Sequence, residues 1–257
     1  MIKYRTVNIV FLLMLASVLA VHYAVPVAGW IYIVILFTYV MIQVYGSVIL
    51  SAQFFLPVST RGKSSTHSIS LTFDDGPIAG KTDRVLDILK AHGVPAAFFC
   101  IGHRAKENPA LLKRMQQEGH VLGNHSYWHG KGFDLQTTHK IGAELTSTDA
   151  VIYEHTGLRP QFFRPPYGVT NPMVASAVMQ TGYRTIGWSV RSFDTMTKDC
   201  SKLLNRITGS VKSGDIILLH DYSESMIQML PALIKGIQNL GLKIVRVDEL
   251  LNEKPYV

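Results

Sequence analysis

The chain has 257 residues, a formal net charge of +7 and a composition that is 47% hydrophobic. This length suits one large domain, or a smaller domain with an appendage. The excess of Lys and Arg favours anionic surroundings such as lipid headgroups or phosphorylated substrates. The basic residues do not cluster among aromatic residues, so we expect no nucleic-acid partner. Two cysteines, Cys100 and Cys200, do not suggest a disulfide framework or a cysteine metal site.

The first 58 residues are strongly apolar and carry two formal charges. Residues 7–25 and 30–50 are uncharged stretches, each about long enough to cross a hydrocarbon core as a helix. Pro26 and Gly29 lie between them, where a tight turn is needed. The pattern predicts a transmembrane helical hairpin within residues 1–58, anchored in membrane lipid. A cleaved signal peptide for the first stretch, or a buried core hairpin, is the alternative.

The charges that flank the two apolar stretches bear on their orientation. Lys3 and Arg5 precede the first stretch, Arg61 and Lys63 follow the second, and the connection carries no basic residue. By the positive-inside tendency, both flanks favour the cytoplasm. The sequence therefore predicts a multi-pass protein of the plasma or inner membrane. The flanking charges favour the cytoplasmic side for the residues that follow the second apolar stretch, although an odd number of crossings would place those residues outside.

Residues 59–67 are predicted to be a polar linker, and residues 68–257 to be a globular domain. In this domain, short apolar runs alternate seven times with stretches of helical spacing. One predicted helix, over residues 223–241, is interrupted by Pro231. The alternation predicts an α/β fold with a parallel sheet and helical crossovers. Seven units favour a closed or nearly closed barrel, with a doubly wound open sheet as the alternative.

Polar side chains follow the predicted strands at the point where each strand ends. Asp74 and Asp75 follow the first strand, and His125 and His129 follow the third. Arg164 to Gly168 follow the fourth strand, Trp188 to Asp194 the fifth, and His220 with Asp221 the sixth. Barrel and open-sheet enzymes build their active sites at the carboxyl ends of their strands. We therefore expect these residues to converge in one mouth.

His125 and His129 have the spacing i, i+4, so in a helical turn both imidazoles would share a face and could hold one metal ion. A carboxylate of the Asp74–Asp75 pair would complete a set of two histidines and one carboxylate, which suits zinc, iron or cobalt. The other aspartate would then stay free as a base. Without a metal, the histidine pair is incidental and the two aspartates are ordinary turn residues.

The stretch RPPYG, residues 164–168, places an arginine beside a rigid turn. Arg164 could pair with the base carboxylate through its guanidinium fork. The prolines would fix the backbone so that an N–H near Tyr167 points at a developing oxyanion. His220 ends a predicted buried strand and suits a general acid, although a core histidine satisfied by Asp221 is the alternative.

With TFDDGP, HSYWH, RPPYG and LH in this order, the domain resembles the polysaccharide deacetylase family, which is carbohydrate esterase family four and includes the chitooligosaccharide deacetylases. The resemblance covers roughly residues 68–251. It implies a distorted (β/α)7 barrel of the polysaccharide deacetylase type. It also implies a divalent metal ion, most often zinc with cobalt, iron or nickel as alternatives, and hydrolysis of N-linked or sometimes O-linked acyl groups on sugars.

The resemblance further implies a role for each residue that matches a family motif. The implied machinery is Asp74 as the base, Asp75, His125 and His129 as the metal ligands, Arg164 as the residue that tunes the base, Tyr167 as the source of the oxyanion N–H, His220 as the general acid, and Asp194 as the partner of that acid. The resemblance also implies that Leu219 lies in the acyl pocket. From the residues themselves, Trp188, Pro165 and Pro166 are further candidates for contact with the substrate.

The fourth motif departs from the family. The family often has D-x-x-D-W there, whereas this chain has Arg191 at the first acid and Thr195 at the tryptophan. Asp194 is retained, so we expect the acid–base chemistry to be intact. The acyl pocket and substrate groove are expected to differ, and Trp188 could partly replace the missing ring.

These features predict a metal-dependent hydrolase of non-peptide C–N bonds. It would remove an acetyl or formyl group from an amino sugar in a cell-envelope glycan such as peptidoglycan or another N-acetylglucosamine polymer. Two alternatives remain open. One is a deacylase of a lipid-linked sugar precursor at the inner membrane face, and the other is a non-catalytic, membrane-anchored glycan-binding protein.

Overall fold

A computed structural model of the protein describes residues 3–257. Two long helices come first, α1 (Tyr4–Ala24) and α2 (Gly29–Val48). They run antiparallel, and the Phe11 and Tyr39 rings stack between them with their centroids 4.1 Å apart. Each helix is long and apolar enough to cross a membrane, and its apolar side chains are mostly exposed. The two helices lie where the sequence predicts spans, with bounds that differ by a few residues.

The remaining chain forms one sheet whose strand pairs are parallel. Its strands are β1 (Val58–Ser59), β2 (Ser68–Asp74), β3 (Ala97–Cys100), β4 (Val121–Asn124), β5 (Phe162–Phe163), β6 (Arg184–Ile186), β7 (Val190–Arg191), β8 (Ile216–His220) and β9 (Lys243–Ile244). The spatial order is β1-β6-β5-β4-β3-β2-β8-β7, and β9 pairs with β2. Parallel pairing requires crossover connections, and helices supply them.

Helices surround the sheet, and all except the last cover its outer face. They are α3 (Thr82–His92), α4 (Gly102–Glu107), α5 (Pro109–Gln117), α6 (Thr138–Thr156), α7 (Pro172–Thr181), α8 (Cys200–Ser210), α9 (Glu224–Asn239) and α10 (Val247–Leu251). Along β2, Ile69, Leu71 and Phe73 pack into the large core under these helices. Because side chains alternate along a strand, Thr72 and Asp74 point to the inside of the sheet.

The sheet curls into a distorted (β/α)7 barrel, as the resemblance implies, rather than an open doubly wound sheet. The predicted fifth strand is split into β6 and β7 by residues 187–189. β6 pairs with β5 and β1, whereas β7 pairs with β8 at the other end of the strand order. The stretch from β6 to β7 therefore connects the two ends of the sheet. The break between these two strands is what makes the barrel distorted.

The sheet extends further toward the N-terminus than the predicted boundary at residue 68. Val58 pairs with Thr185 of β6, and Leu50 and Leu56 are buried in a core cluster of the domain. Arg61 lies in the predicted linker, and its guanidinium forms an ion pair of 2.7 Å with the buried Asp215. The apolar side chains of this segment are buried against the domain, which explains why it folds with the sheet.

Two local predictions of secondary structure are wrong. α9 continues through Pro231 without interruption, because neighbouring side chains such as Leu230 and Leu233 are held in the core. The apolar run of residues 242–247 predicts a last strand, but β9 ends at Ile244 and Val247 begins α10. Val247 and Leu250 pack inside the barrel. Tertiary packing overrides local propensity at both places.

Candidate active site

The carboxyl ends of the strands converge on one cleft with a volume of about 230 Å³. Its lining includes nine residues that the sequence singled out, Asp74, Asp75, His125, His129, Tyr167, Trp188, Arg191, Thr195 and His220. The remaining lining residues are Gly168, Phe193, Met196, Leu218 and Tyr222. Residues that are up to 148 positions apart in sequence therefore share one concave surface.

Asp75, His125 and His129 form a group of ligand atoms that suits a metal ion. Oδ1 of Asp75 lies 3.5 Å from Nε2 of His125 and 3.4 Å from Nε2 of His129. This Oδ1 is buried and has no hydrogen-bond partner among residues 3–257. A buried carboxylate oxygen without a partner is costly, and a bound cation would satisfy it. The donor set of two imidazoles and one carboxylate fits a divalent ion such as zinc.

The His125 ring is fixed in the orientation that a metal ligand needs. Its Nδ1 lies 2.7 Å from the carbonyl oxygen of Arg164, so Nδ1–H donates and Nε2 faces the cleft. Burial lowers the pKa of His125 to about 3, opposed in part by Asp75. The imidazole is therefore neutral at physiological pH, which is the form that binds metal.

The two histidines lie on a loop and not in a helical turn, so the helical argument for their shared face is wrong. Ser126 and His129 have φ angles of 63° and 51°. Short polar side chains support these conformations, since Asn124 Oδ1 accepts the Ser126 N–H at 3.0 Å and Ser126 Oγ accepts the His129 N–H at 3.1 Å. The loop brings the imidazoles together with their ring centroids 4.8 Å apart.

Glu144 supports this loop from α6 and was missed by the sequence reasoning. One carboxylate oxygen accepts the N–H groups of Tyr127 and Trp128 at 3.1 and 3.0 Å, and the other accepts the Gln136 amide at 2.7 Å. Glu144 is largely buried, on the same helix face as Ile141. An acid at an apolar position of an amphipathic helix needs a partner, and that was the available signal.

A buried arginine gives the Asp74 carboxylate an environment different from that of Asp75. Nη1 of Arg164 donates to Asp74 Oδ1 at 2.7 Å and to Thr72 Oγ1 at 2.8 Å, and Nη2 donates to the Gly187 carbonyl at 2.8 Å. Burial raises the pKa of Asp74, and the charge of Arg164 opposes that rise. The two neighbouring carboxylates thus have different environments, one against a guanidinium and the other against two imidazoles.

His220 ends β8 and is paired with Asp194. Its Nδ1 lies 2.8 Å from Asp194 Oδ1, and its backbone N–H donates to Oδ2 at 2.8 Å. Burial lowers the pKa of His220, but the hydrogen bond and charge of Asp194 raise it more, and the net shift is upward. The carboxylate of Asp221 instead accepts from Thr82 Oγ1 at 2.6 Å. The alternative in which Asp221 satisfies His220 is therefore wrong.

Tyr167 stands on the turn of the RPPYG stretch. Its φ angle is 59°, and its backbone N–H has no acceptor within the described part of the chain. Its ring lies 4.7 Å from that of His129, and its hydroxyl donates to the His129 carbonyl at 3.2 Å. Pro165 and Pro166 are buried outside the cleft lining, so they shape the turn and do not contact a ligand in the cleft.

The prediction that Leu219 lines an acyl pocket is wrong. Leu219 is fully buried in the large core on the outer face of the sheet. The preceding residue, Leu218, lines the cleft instead. Side chains alternate along β8, so Leu218 and His220 share the inner face while Leu219 points away.

The altered fourth motif lies along one wall of the cleft. Trp188 packs its ring against Gly168, where an added Cβ atom would lie 2.4 Å from the indole. The Arg191 guanidinium lies 5.9 Å from the Trp188 ring centroid and 4.9 Å from that of Phe193. Thr195 is exposed at the edge. An indole and an exposed guanidinium therefore form this wall.

Comparison with known proteins is consistent with this arrangement. The family profile described as Polysaccharide deacetylase matches residues 61–186. The peptidoglycan-N-acetylmuramic acid deacetylase PdaA of Bacillus subtilis is 35% identical over 197 residues, which cover 75% of this chain and 74% of that protein. The chain belongs to the polysaccharide deacetylase family. Family membership confirms the resemblance stated from the sequence motifs.

Two further polysaccharide deacetylases show how far the similarity extends. The peptidoglycan-N-acetylglucosamine deacetylase PgdA of Listeria monocytogenes is 35% identical over 186 residues, which are 72% of this chain but 39% of PgdA. A solved peptidoglycan N-acetylglucosamine deacetylase structure superimposes with a TM-score of 0.73 and 28% identity, covering 77% of this chain and 94% of that one. The latter match confirms the barrel.

Proposed function

We propose that this polysaccharide deacetylase is a metal-dependent hydrolase that removes an N-acetyl group from an amino sugar of a cell-envelope glycan. The observation that carries the proposal is the division between the two neighbouring aspartates. Asp74 is paired with Arg164, whereas Asp75 presents a buried, unsatisfied oxygen to two imidazoles. The peptidoglycan deacetylases to which the chain is similar support the substrate class.

Asp75, His125 and His129 would hold the ion, with zinc as the first choice and cobalt, iron or nickel as alternatives. When bound, a divalent ion supplies positive charge that polarises an acyl oxygen and lowers the pKa of water. The Arg164 carbonyl contributes by keeping His125 in one tautomer. The neighbouring loop contributes by fixing the position of His129.

Asp74 acts as the base that accepts the proton of the attacking water. Burial raises the pKa of Asp74, and the Arg164 guanidinium opposes that rise and favours the carboxylate form that a base requires. The backbone N–H of Tyr167, which has no acceptor in the described part of the chain, is available to donate to the oxyanion that forms when water adds to the acyl carbon. Leu218 and Trp188 supply apolar surface for the acyl methyl group.

His220 acts as the general acid that protonates the departing nitrogen. Asp194 accepts the Nδ1–H bond and directs Nε2 toward the cleft. It also favours the protonated ring, which is the form that an acid needs before the C–N bond breaks.

The test is a pair of variants at the two neighbouring aspartates. We expect Asp74→Asn to lower the release of free amine from N-acetylglucosamine oligomers by about 100-fold or more, because general-base catalysis is lost. Bound metal should stay near one ion per chain. Asp75→Asn, the matched control, should lose both metal and activity. Full activity of Asp74→Asn would contradict the role of the base. A chain that binds no metal would favour the non-catalytic glycan-binding alternative.

We further propose that α1 and α2 anchor the chain as a membrane-spanning hairpin. Their length, composition and exposed apolar surface support this. The flanking basic residues favour the cytoplasmic side for the barrel, which suits a sugar precursor, whereas a finished cell-envelope polymer requires the barrel on the outer side. The end of α2 lies next to the cleft, because the carbonyl of Ser47 accepts the Thr170 N–H at 3.0 Å.

This contact favours a second candidate substrate, an N-acylated sugar carried on a membrane lipid. Tyr167 lines the cleft three residues before Thr170, and three residues span at most about 11 Å. The mouth of the cleft is therefore within about 11 Å of the residue that touches the end of α2. A sugar held at the bilayer surface would lie within reach of the site.

A further inference from the structure

Arg191 is an exposed cation on the wall of the cleft that the proposed hydrolysis does not use. It ends β7 opposite Leu218 of β8, and both side chains line the cleft. In the part of the chain that the structure describes, its guanidinium makes no ion pair and no hydrogen bond. By contrast, Arg164 is fully buried and paired with Asp74. Arg191 thus has free donors at the site of reaction.

Aromatic rings hold the Arg191 side chain in place. Its guanidinium carbon lies 4.9 Å from the Phe193 ring centroid and 5.9 Å from that of Trp188. Cation–π contacts of this kind favour this position of the guanidinium without using its N–H groups. Phe193 is itself held with a φ angle of 60° between the β7 strand and the buried Asp194.

A second arginine approaches the same ring. The Arg206 guanidinium lies 5.1 Å from the Phe193 centroid and donates to the Ser192 carbonyl at 3.3 Å. The nearest acid in sequence is Asp194, and both of its carboxylate oxygens already bind His220. Two cations therefore lie around one ring, and the local carboxylate is engaged elsewhere. Arg206 lies outside the cleft lining, so it adds positive potential beside Arg191 and does not itself face the cleft.

We propose that Arg191, supported by Arg206, binds a phosphate group carried by the amino-sugar substrate. The inference rests on the proposed function, because the phosphate and the acyl group must belong to one molecule in one cleft. A guanidinium presents a planar pair of donors that matches phosphate oxygens, and two guanidiniums suit the charge of a phosphate or diphosphate. An acid at position 191, which the family often has, would instead repel this group.

The phosphate could come from a lipid-linked sugar or from a soluble sugar phosphate. The contact between Ser47 and Thr170 brings the cleft close to the end of α2, which favours the lipid-linked source. The recognition chemistry is the same for both sources, so the experiment includes a substrate of each kind beside a neutral one.

The experiment uses the full chain, loaded with zinc, in phospholipid nanodiscs. The substrates are methyl N-acetylglucosaminide, N-acetylglucosamine 1-phosphate and a polyprenyl-diphosphate-linked N-acetylglucosamine. Arg191→Gln should raise KM for the two phosphorylated substrates about tenfold or more and leave kcat within about twofold, because a charge-assisted hydrogen bond is lost. KM for the neutral sugar should not change. Lys198→Gln, which removes an exposed cation from the same loop outside the cleft lining, is the matched control.

A binding measurement separates this inference from the proposed function. Inorganic pyrophosphate, titrated calorimetrically into the zinc-loaded chain, should bind about tenfold more weakly to Arg191→Gln than to the wild type. The difference should shrink as salt is added. If no sugar is deacetylated but this difference persists, the anion site stands and the hydrolase proposal fails. Equal pyrophosphate affinity in both proteins, or an equal loss on the neutral sugar, would overturn the anion site.

The two phosphorylated substrates then identify the source. A lower wild-type KM for the polyprenyl-linked sugar supports a lipid-borne phosphate. A lower KM for N-acetylglucosamine 1-phosphate supports a soluble one. In both cases the phosphate assignment requires that the preference disappears in Arg191→Gln.

Discussion

Arg164 contacts both the proposed base and a proposed metal ligand, one through its side chain and the other through its backbone. Its guanidinium binds the Asp74 carboxylate, and its backbone carbonyl accepts the Nδ1–H of His125. The proposed base and the proposed metal ligand are therefore positioned from the same point of the chain. A substitution at Arg164 would disturb a fully buried charge as well as the base, so its effect on activity would combine stability and chemistry.

His220 and Asp194 give the pH dependence of the reaction a definite direction. A general acid is active only while protonated, so activity should fall as the pH rises through the pKa of His220. The hydrogen bond and charge of Asp194 hold this pKa up against burial. In Asp194→Asn the pKa should fall, and the alkaline limb of the kcat/KM profile should move to lower pH.

The control for this measurement is Asp87→Asn, which changes an exposed carboxylate paired with Arg114, away from the cleft. Its profile should coincide with that of the wild type. If Asp194→Asn leaves the alkaline limb in place while lowering the rate evenly at all pH values, His220 is not the acid that sets that limb.

Among the connecting elements, the turn between β5 and α7 places Tyr167 and also seats Trp188. Gly168 has a φ angle of 69°, and its missing Cβ leaves room for the indole. Gly168→Ala should lower the free energy of unfolding by about 1–2 kcal/mol for the left-handed backbone, with a further loss from the displaced ring. Because Trp188 lines the cleft, kcat/KM should fall as well.

Gly157→Ala is the matched control, because Gly157 has a similar φ angle of 71° but nothing within 4 Å of an added Cβ. It should show the backbone cost alone and unchanged kinetics. Chemical denaturation and steady-state kinetics of the two variants provide the comparison. Equal losses in both would mean that the contact between Gly168 and Trp188 contributes nothing.

The elements show which features the sequence could predict. The alternation of strands and helices, and the polar residues after each strand, indicated a barrel with one mouth, because both depend on local patterns. The face of β8 could not be read, since Leu218 and Leu219 are equally apolar and a one-residue shift exchanges core and cleft. Strand β1 is two residues long, which is too short for a periodic signal. The loop geometry of HSYWH depends on tertiary partners such as Glu144.

At the scale of the whole molecule, the barrel and the N-terminal segment share a core. Leu50, Leu56 and Val58 pack with residues of α6 and α7. A chain of residues 49–257 should therefore fold cooperatively. A chain of residues 68–257 should be less stable by several kcal/mol, at roughly 1.5–3 kcal/mol for each large apolar side chain lost.

Thermal and urea unfolding of the two purified truncated chains measures the difference. Both lack α1 and α2, so loss of the helical hairpin is common to them and cannot explain a gap. Equal stability would show that the segment from Ile49 to His67 is dispensable and that the domain begins near Ser68.

The contact between Ser47 and Thr170 has a consequence for where the enzyme can work. An enzyme that is joined to its membrane anchor by a long flexible linker can reach a volume set by the length of that linker. Here the residues that follow α2 are packed into the domain, and Phe54 fills the space above Gly46. With α1 and α2 in the membrane, as proposed above, a barrel attached in this way would stay at a fixed distance from the bilayer surface. It would trim sugars as they pass along the membrane surface, and glycan strands held further away would have to be brought to it.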